Sequence, residues 1–253
     1  MSKRSLITTD KLNKTFNTGS IAQTVLKSLE IEFYEGDFTV IMGASGAGKS
    51  TLLYALSGMD TPTSGKIVFD GSDITGMSGD RLAVFRRKNC GFVFQQNYLL
   101  DNMSIMDNVL ACGLLVDSNR KRIASEAKGL FERVGLDENI WRKFPTQVSG
   151  GEAQRAGIVR ALINKPKAVF ADEPTGSLNS SSGKAVLDVL TDVNRTGQSV
   201  IMVTHDTASA RRGNRIIYLK DGDVCGECML GQYEPGNKKR AEKLQPFLDE
   251  MAW

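Results

Sequence analysis

G-A-S-G-A-G-K-S, Gly43 to Ser50, follows directly on the apolar run Phe38 to Met42, and this junction decides the reading of the whole chain. Phe38, Val40 and Ile41 read as a short buried strand, and Thr51 to Leu56 read as the start of a helix. The glycines therefore fall on a strand-to-helix turn. There they let the backbone curl round an anion without Cβ obstruction and aim successive N–H groups and a helix N-terminus at phosphate. Lys49 is expected to reach the β- and γ-phosphates, and the Ser50 hydroxyl to ligate Mg²⁺. A glycine-rich turn can match such a pattern by chance. The strand before it, the helix after it and the adjacent Lys49 and Ser50 argue against coincidence.

Working outward, a second apolar run, Ala168 to Ala171, ends in Asp172 and Glu173. A carboxylate at the end of a strand beside a phosphate loop can hold Mg²⁺, and the acid after it can polarise an attacking water. Upstream, Val148 to Gln154 reads V-S-G-G-E-A-Q and leads into a helix-like stretch, Glu152 to Asn164. A Ser-Gly-Gly turn alone is ordinarily just a loop, and its place ahead of Asp172 and Glu173 changes that weighting. His205 is the single histidine of the chain. A lone histidine beside an apolar segment is ordinarily a packed or capping residue, but V-T-H-D closes the run Val200 to Thr204 at the strand edge where α/β sheets place their ligands.

In this order the motifs resemble those of the nucleotide-binding subunits of ATP-binding cassette (ABC) transporters, over roughly Leu6 to Val224. The resemblance implies that Gly43, Ala44, Ser45, Gly46, Ala47, Gly48, Lys49, Ser50 and Thr51 bind ATP as the Walker A loop, with Phe16 stacking on adenine. It implies Gln95 as the Q-loop glutamine, Asp172 and Glu173 as the end of Walker B with Glu173 the catalytic base, and His205 as the switch histidine. Mg²⁺ would be held by Ser50, Gln95 and Asp172. Ser149 to Gln154 matches the signature motif, of which Ser149, Gly150, Gly151 and Glu152 would face ATP bound to the other member of the head-to-tail dimer that the family forms. Ser177, Leu178 and Asn179 fall at the D-loop. Asn179 stands where the family usually has aspartate, keeping hydrogen-bonding capacity but losing a charge. Val148 and Ala153 are milder departures.

The fold expected is α/β: a P-loop nucleoside triphosphatase with a parallel core sheet, an antiparallel N-terminal β subdomain and an inserted helical subdomain over approximately 96–165. The whole of 1–253 is expected to be one ABC ATPase domain, closed by a hairpin and helix over approximately 214–253. Strand candidates are Ser5 to Thr9, Ile31 to Tyr34, Phe38 to Met42, Lys66 to Phe69, Cys90 to Phe94, Ala168 to Ala171, Ser199 to Thr204 and Ile216 to Leu219. Helical pattern is clearest over Ala124 to Val134 and Glu152 to Asn164. With 253 residues, 41% of them hydrophobic, the chain can bury one sizeable core. No internal repeat is visible, which excludes a fused tandem cassette.

The formal net charge of +3 is a small difference between 32 basic and 29 acidic residues, so no nucleic-acid partner is expected. No apolar stretch approaches a membrane span, and Met1 to Asp10 lacks a signal-peptide core. The expected location is the cytoplasmic face of the cell membrane, reached through a multi-span permease docking near Gln95 to Val109, where Tyr98, Leu99, Leu100, Met103, Ile105 and Met106 are apolar. The other expected partner is a second copy or a paralogous cassette. Cys225 and Cys228 form an isolated C-x-x-C without the further ligands that zinc needs. Lys238, Lys239 and Arg240 read as a solvated face, followed by Leu244, Phe247, Leu248, Met251 and Trp253 at the spacing of an amphipathic helix packed on the cassette.

G-F-V-F-Q-Q, A-D-E-P-T-G-S-L-N and V-T-H-D most resemble ATPases paired with permeases of the macrolide, lipoprotein and antimicrobial-peptide export group. That implies an ATPase driving a permease for antimicrobial peptides, lipids or lipoproteins. The alternatives are a soluble ABC ATPase without a permease, of the iron–sulfur assembly type, and a cell-division type doing mechanical signalling.

Overall fold

The computed structural model describes residues 3–19 and 21–251. In chain order the elements are β1 (Ser5–Thr18), β2 (Ile21–Leu29), β3 (Glu32–Tyr34), β4 (Phe38–Met42), α1 (Lys49–Leu56), β5 (Ser64–Phe69), β6 (Ser72–Asp73) and α2 (Gly79–Asn89). There follow β7 (Cys90–Val93), α3 (Ile105–Gly113), α4 (Arg120–Arg133), α5 (Glu138–Trp141), α6 (Gly150–Leu162), β8 (Ala168–Asp172) and α7 (Ser180–Arg195). The chain ends in β9 (Ser199–Val203), α8 (Thr207–Ala210), β10 (Arg215–Lys220), β11 (Asp223–Met229) and α9 (Lys239–Glu250). Two compact units result, one of 1–82 with 197–253 and one of 83–196.

The first unit holds an antiparallel sheet in the order β2-β1-β5-β6, with β3 also paired to β1. It also holds β11-β10-β4-β9, in which β10, β4 and β9 run parallel and β11 returns antiparallel. Every residue of β4 and of β9 is buried. This is why these strands read as unbroken apolar runs: a parallel strand covered on both faces has no polar side to show. β2 escapes that reading, since only Leu26 and Leu29 of its nine residues are buried.

The second unit pairs β7 and β8 in parallel, with Val93 opposite Ala171, and surrounds them with helices. Its helical core gathers Ile105, Val109, Ile123, Ala127, Phe131, Trp141, Ala156 and Val159, with the Phe131 and Trp141 rings 5.3 Å apart. α6 lies so close to β7 that a Cβ on Gly91 would stand 2.3 Å from the Ala161 carbonyl oxygen. Ser104, Asn119 and Asn179 cap α3, α4 and α7, each side chain accepting from a backbone N–H of the first turn.

One charge expectation is corrected. Arg240 does not belong to a solvated face; it is 4% exposed. Its guanidinium donates to the carbonyls of Arg211, Gly213, Leu230, Gly231 and Gln232, and lies 5.4 Å from the Tyr233 ring. These carbonyls come from two links, the one between α8 and β10 and the one between β11 and α9, and only a fork of donors on a long stem meets them together. The apolar face of α9 is as expected: Leu244 and Leu248 are buried and Phe247 meets Tyr218 edge-on. Trp253 lies outside the described residues.

Candidate nucleotide site and signature helix

The phosphate loop sits where the sequence puts it, between fully buried β4 and α1. Gly48 is the N-cap of α1 with φ 99°, and a Cβ there would stand 2.9 Å from the Val25 carbonyl oxygen, so both conformation and space demand glycine. Gly43, Ala47 and Gly48 are buried, Ala44, Ser45 and Gly46 are exposed, and Lys49, Ser50 and Thr51 are half-buried. Lys49 Nζ donates to the carbonyls of Gly43 at 2.7 Å and Ala44 at 2.8 Å, folding the ammonium back over its own loop. A phosphate arriving at the loop competes with two neutral carbonyls for that ammonium, and a charge-assisted bond to an anion is the stronger of the two.

His205 is exposed in the turn between β9 and α8. The backbone on either side of it is anchored. Thr204 N donates to the Ile41 carbonyl of β4 at 3.3 Å, and Asp206 caps α8 by accepting from the N–H groups of Ala208 and Ser209. Burial acts to raise the Asp206 pKa, but hydrogen bonds from Ser209 and Ala208 outweigh it and hold the carboxyl below the usual carboxylate range. The histidine turn therefore stands beside the end of β4 from which the phosphate loop departs. Phe16, on β1 opposite Gln23, is 42% exposed. Lys14, two residues earlier on the same face, places its Nζ 4.8 Å from the Phe16 ring centroid while donating to Asp60 and the Thr61 carbonyl. The K-T-F spacing carries that pairing, which the sequence reading did not use.

In the second unit, Gln95 follows β7 and Asp172 ends β8, so both stand at the C-terminal edge of one parallel pair. Glu173 comes next with φ +46°, a left-handed conformation held directly before a proline. A side chain at Gly176 would meet the Gln95 amide at 2.9 Å, and Ser177 Oγ donates to the Gln95 carbonyl at 2.9 Å. Ser149 is the N-cap of α6 in a capping box with Glu152. Ser149 N and Oγ both donate to Glu152 Oε2, at 2.7 and 2.6 Å, and these bonds hold the Glu152 carboxyl below the usual carboxylate range. Ser149 and Gly150 are exposed and Gly151 is buried, with a Cβ on Gly151 meeting Ser182 at 2.9 Å and one on Gly150 meeting Leu178 at 3.3 Å. The stretch Leu178 to Ser182 thus packs on the Ser149 to Gly151 turn of the same unit. Asn179 accepts from Ser182 N and Ser181 Oγ, a capping task that an amide oxygen performs as well as a carboxylate.

Two side chains of α6 make contacts that the sequence reading did not foresee, although it placed Gln154 within the signature match. Gln154 donates to the carbonyls of Phe94 and Pro174, and Arg160 to those of Asn97 and Tyr98. Their partners lie 20 to 63 residues away along the chain, so no local pattern announces them. Tyr98 and Leu100 are 64% and 56% exposed, whereas Leu99, Ile105 and Val109 are core. The segment after Gln95 thus divides between surface and lobe interior.

Residues 26–176, more than half of the chain, match the family model described as ABC transporter. The chain belongs to the ABC transporter family. Among curated proteins this ABC cassette is 42% identical over 211 residues to the uncharacterized ABC transporter ATP-binding protein MJ1508 of Methanocaldococcus jannaschii, covering 83% of this chain and 94% of that one. It is 40% identical over 203 residues to the lipoprotein-releasing system ATP-binding protein LolD of Aquifex aeolicus, covering 80% of this chain and 90% of LolD. It is also 40% identical to the macrolide export ATP-binding/permease protein MacB of Escherichia coli, spanning 88% of this chain but about a third, 34%, of MacB. Among solved structures, the dimeric ATP-binding cassette MJ0796 in a post-hydrolysis state bound to ADP and Pi superposes with a TM-score of 0.80 at 35% identity, over 90% of this chain and 100% of that one. The ABC cassette described here is therefore an ATP-binding ATPase. Its relatives MacB and LolD are parts of membrane transport systems. No helix among its own described residues is long and apolar enough to cross a membrane.

Proposed function

We propose that the chain is the ATP-hydrolysing engine of an export or release system, working as a head-to-tail dimer on a membrane permease. The observation that carries this is the pairing of two anion-binding helix starts on one chain: the phosphate loop at α1, and the exposed Ser149-Gly150 start of α6. ATP held by Gly43 to Thr51 of one copy, with adenine on Phe16, then faces Ser149, Gly150, Gly151 and Glu152 of the other. Lys49 neutralises the β- and γ-phosphates, Glu173 accepts the proton of the attacking water, and Gln95 and His205 orient water and phosphate. Ser50, Gln95 and Asp172 carry oxygen donors of the hard type that would suit Mg²⁺, which would supply charge neutralisation at the transferring phosphoryl group. The D-loop residues Ser177, Leu178 and Asn179 brace the signature turn.

The permease reading is supported by exposed Tyr98 and Leu100 just after Gln95, together with exposed Leu115, Val116 and Phe144 in the same unit. Similarity to LolD and MacB favours lipoproteins or macrolides as cargo, and the resemblance of the motifs to the export group adds lipids and antimicrobial peptides, with action at the cytoplasmic face of the membrane. The test is light scattering of purified Glu173→Gln with and without Mg²⁺ and ATP, beside wild-type turnover. The expected outcome is a dimer that forms only with ATP and a turnover reduced at least 100-fold, since removing the base leaves binding intact. A variant that stays monomeric throughout overturns self-sufficient homodimerisation.

A further inference from the structure

Gln154 has no role in the hydrolysis proposed above, although it is 2% exposed and its whole donor capacity is committed. Its Nε2 donates to the Phe94 carbonyl at 2.6 Å and to the Pro174 carbonyl at 2.9 Å. A primary amide nitrogen carries two hydrogens, and both are used. The two acceptors are informative: the Phe94 carbonyl lies in the peptide immediately before Gln95, and the Pro174 carbonyl belongs to the residue immediately after Glu173. Glu173 is also the residue whose backbone most needs holding. Its φ of +46° is unfavourable for a side-chain-bearing residue, and the following proline disfavours helical ψ values as well. Such conformations persist only where surrounding contacts over-determine them. Here the Glu173 carbonyl accepts from Gly176 N at 3.0 Å, and Gln154 pins the next carbonyl from a third element, the signature helix.

We propose that Gln154 is a positioning residue for ATP hydrolysis. One buried amide holds the peptide ahead of Gln95 and the Pro174 carbonyl behind Glu173 against the helix whose N-terminus presents Ser149, so the Q-loop, the base and the signature turn move as one piece. The inference rests on the assignment of Glu173 as base. A glutamine that merely fills a buried polar gap would lower stability and leave the catalytic constants of the folded fraction alone. A positioning glutamine lowers kcat while nucleotide affinity, which depends on the phosphate loop, is kept.

The experiment measures steady-state ATPase kcat and KM, affinity for a fluorescent ATP analogue, and thermal unfolding for wild type, Gln154→Met, Gln154→Glu and Glu173→Gln. Gln154→Met keeps the length and removes both donors. It is expected to bind nucleotide within about 2-fold of wild type and to lose kcat by about 10- to 100-fold, the scale of a catalytic group displaced by an ångström. In Gln154→Glu the introduced carboxyl faces two carbonyl oxygens and donates only when protonated, so its kcat relative to wild type should rise as pH falls. A folded Gln154→Met with wild-type kcat, or one whose kcat and affinity fall in equal proportion, overturns the proposal. So does failure of both variants to fold, which makes the residue structural. Wild-type turnover in Glu173→Gln sinks the base assignment instead, whatever the Gln154 variants do.

Discussion

Lys49 and Glu173 show how much a single position can carry. The Lys49 ammonium is parked on the Gly43 and Ala44 carbonyls, both in a loop that water reaches, so Lys49→Ala should leave thermal stability within about 1 kcal/mol of wild type. It should weaken ATP binding by at least 10-fold, measured by titration with a fluorescent nucleotide, because no other cation lies in the Gly43 to Thr51 stretch. A loss of stability without loss of affinity would mean that the parked state is the role of the residue. Glu173 is the contrasting case: its identity was legible from its place after Ala168 to Asp172, but its left-handed backbone was not. Nothing in A-D-E-P forecasts a positive φ, since a proline next in sequence argues for an extended residue. The Glu173 carbonyl accepts from Gly176 N three residues on, and the Pro174 carbonyl accepts from Gln154, 20 residues back along the chain.

Elements divide in the same way. β4, β8 and β9 could be read because burial on both faces leaves an apolar run, and α6 because Ser149 and Glu152 write a capping box. β2 and α9 could not be read fully, one because most of its side chains face outward and the other because Arg240 looked like any solvated cation. The docking of α9 therefore rests on a residue that composition assigns to the surface. Arg240→Ala should destabilise the protein by on the order of 3 kcal/mol, leaving several carbonyls without a donor, and should speed proteolysis within the C-terminal segment. Arg240→Lys should recover little, because one ammonium cannot serve carbonyls spread over five residues. Unfolding by denaturant with limited proteolysis measures both, and wild-type behaviour of Arg240→Ala would show that the apolar face of Leu244 and Leu248 suffices.

β11 sets the fate of the C-x-x-C pair. Three residues apart on a strand, Cys225 and Cys228 point to opposite faces, one exposed and the other buried. Burial also pushes the Cys90 thiol far up, which suppresses its thiolate. Native labelling with a thiol reagent should therefore modify Cys225 first, with Cys90 reacting only on unfolding. Mass spectrometry of the labelled peptides decides this, and rapid modification of Cys90 would contradict the burial.

At the scale of the whole molecule, the residues proposed for the site are divided between the two compact units. The first holds the phosphate loop, His205 and Phe16; the second holds Gln95, Asp172, Glu173 and the signature turn. Within the second unit, α6 reaches the segment after Gln95 through Arg160, the carbonyls of Phe94 and Pro174 through Gln154, and Leu178 and Ser182 through Gly150 and Gly151.

The amino-acid sequence by itself determined the family, the order of the motifs and the identity of the residues proposed for the chemistry. Phosphate cradles, capping boxes and buried strands are local devices, made by neighbours in the chain, and spacing records them. Only the tertiary structure decided what holds those residues in place: Gln154 between two loops, Arg240 among five carbonyls, Ser182 against Gly151. These contacts join positions far apart in sequence, and a buried polar side chain takes its role from whichever backbone groups the fold brings within hydrogen-bonding reach.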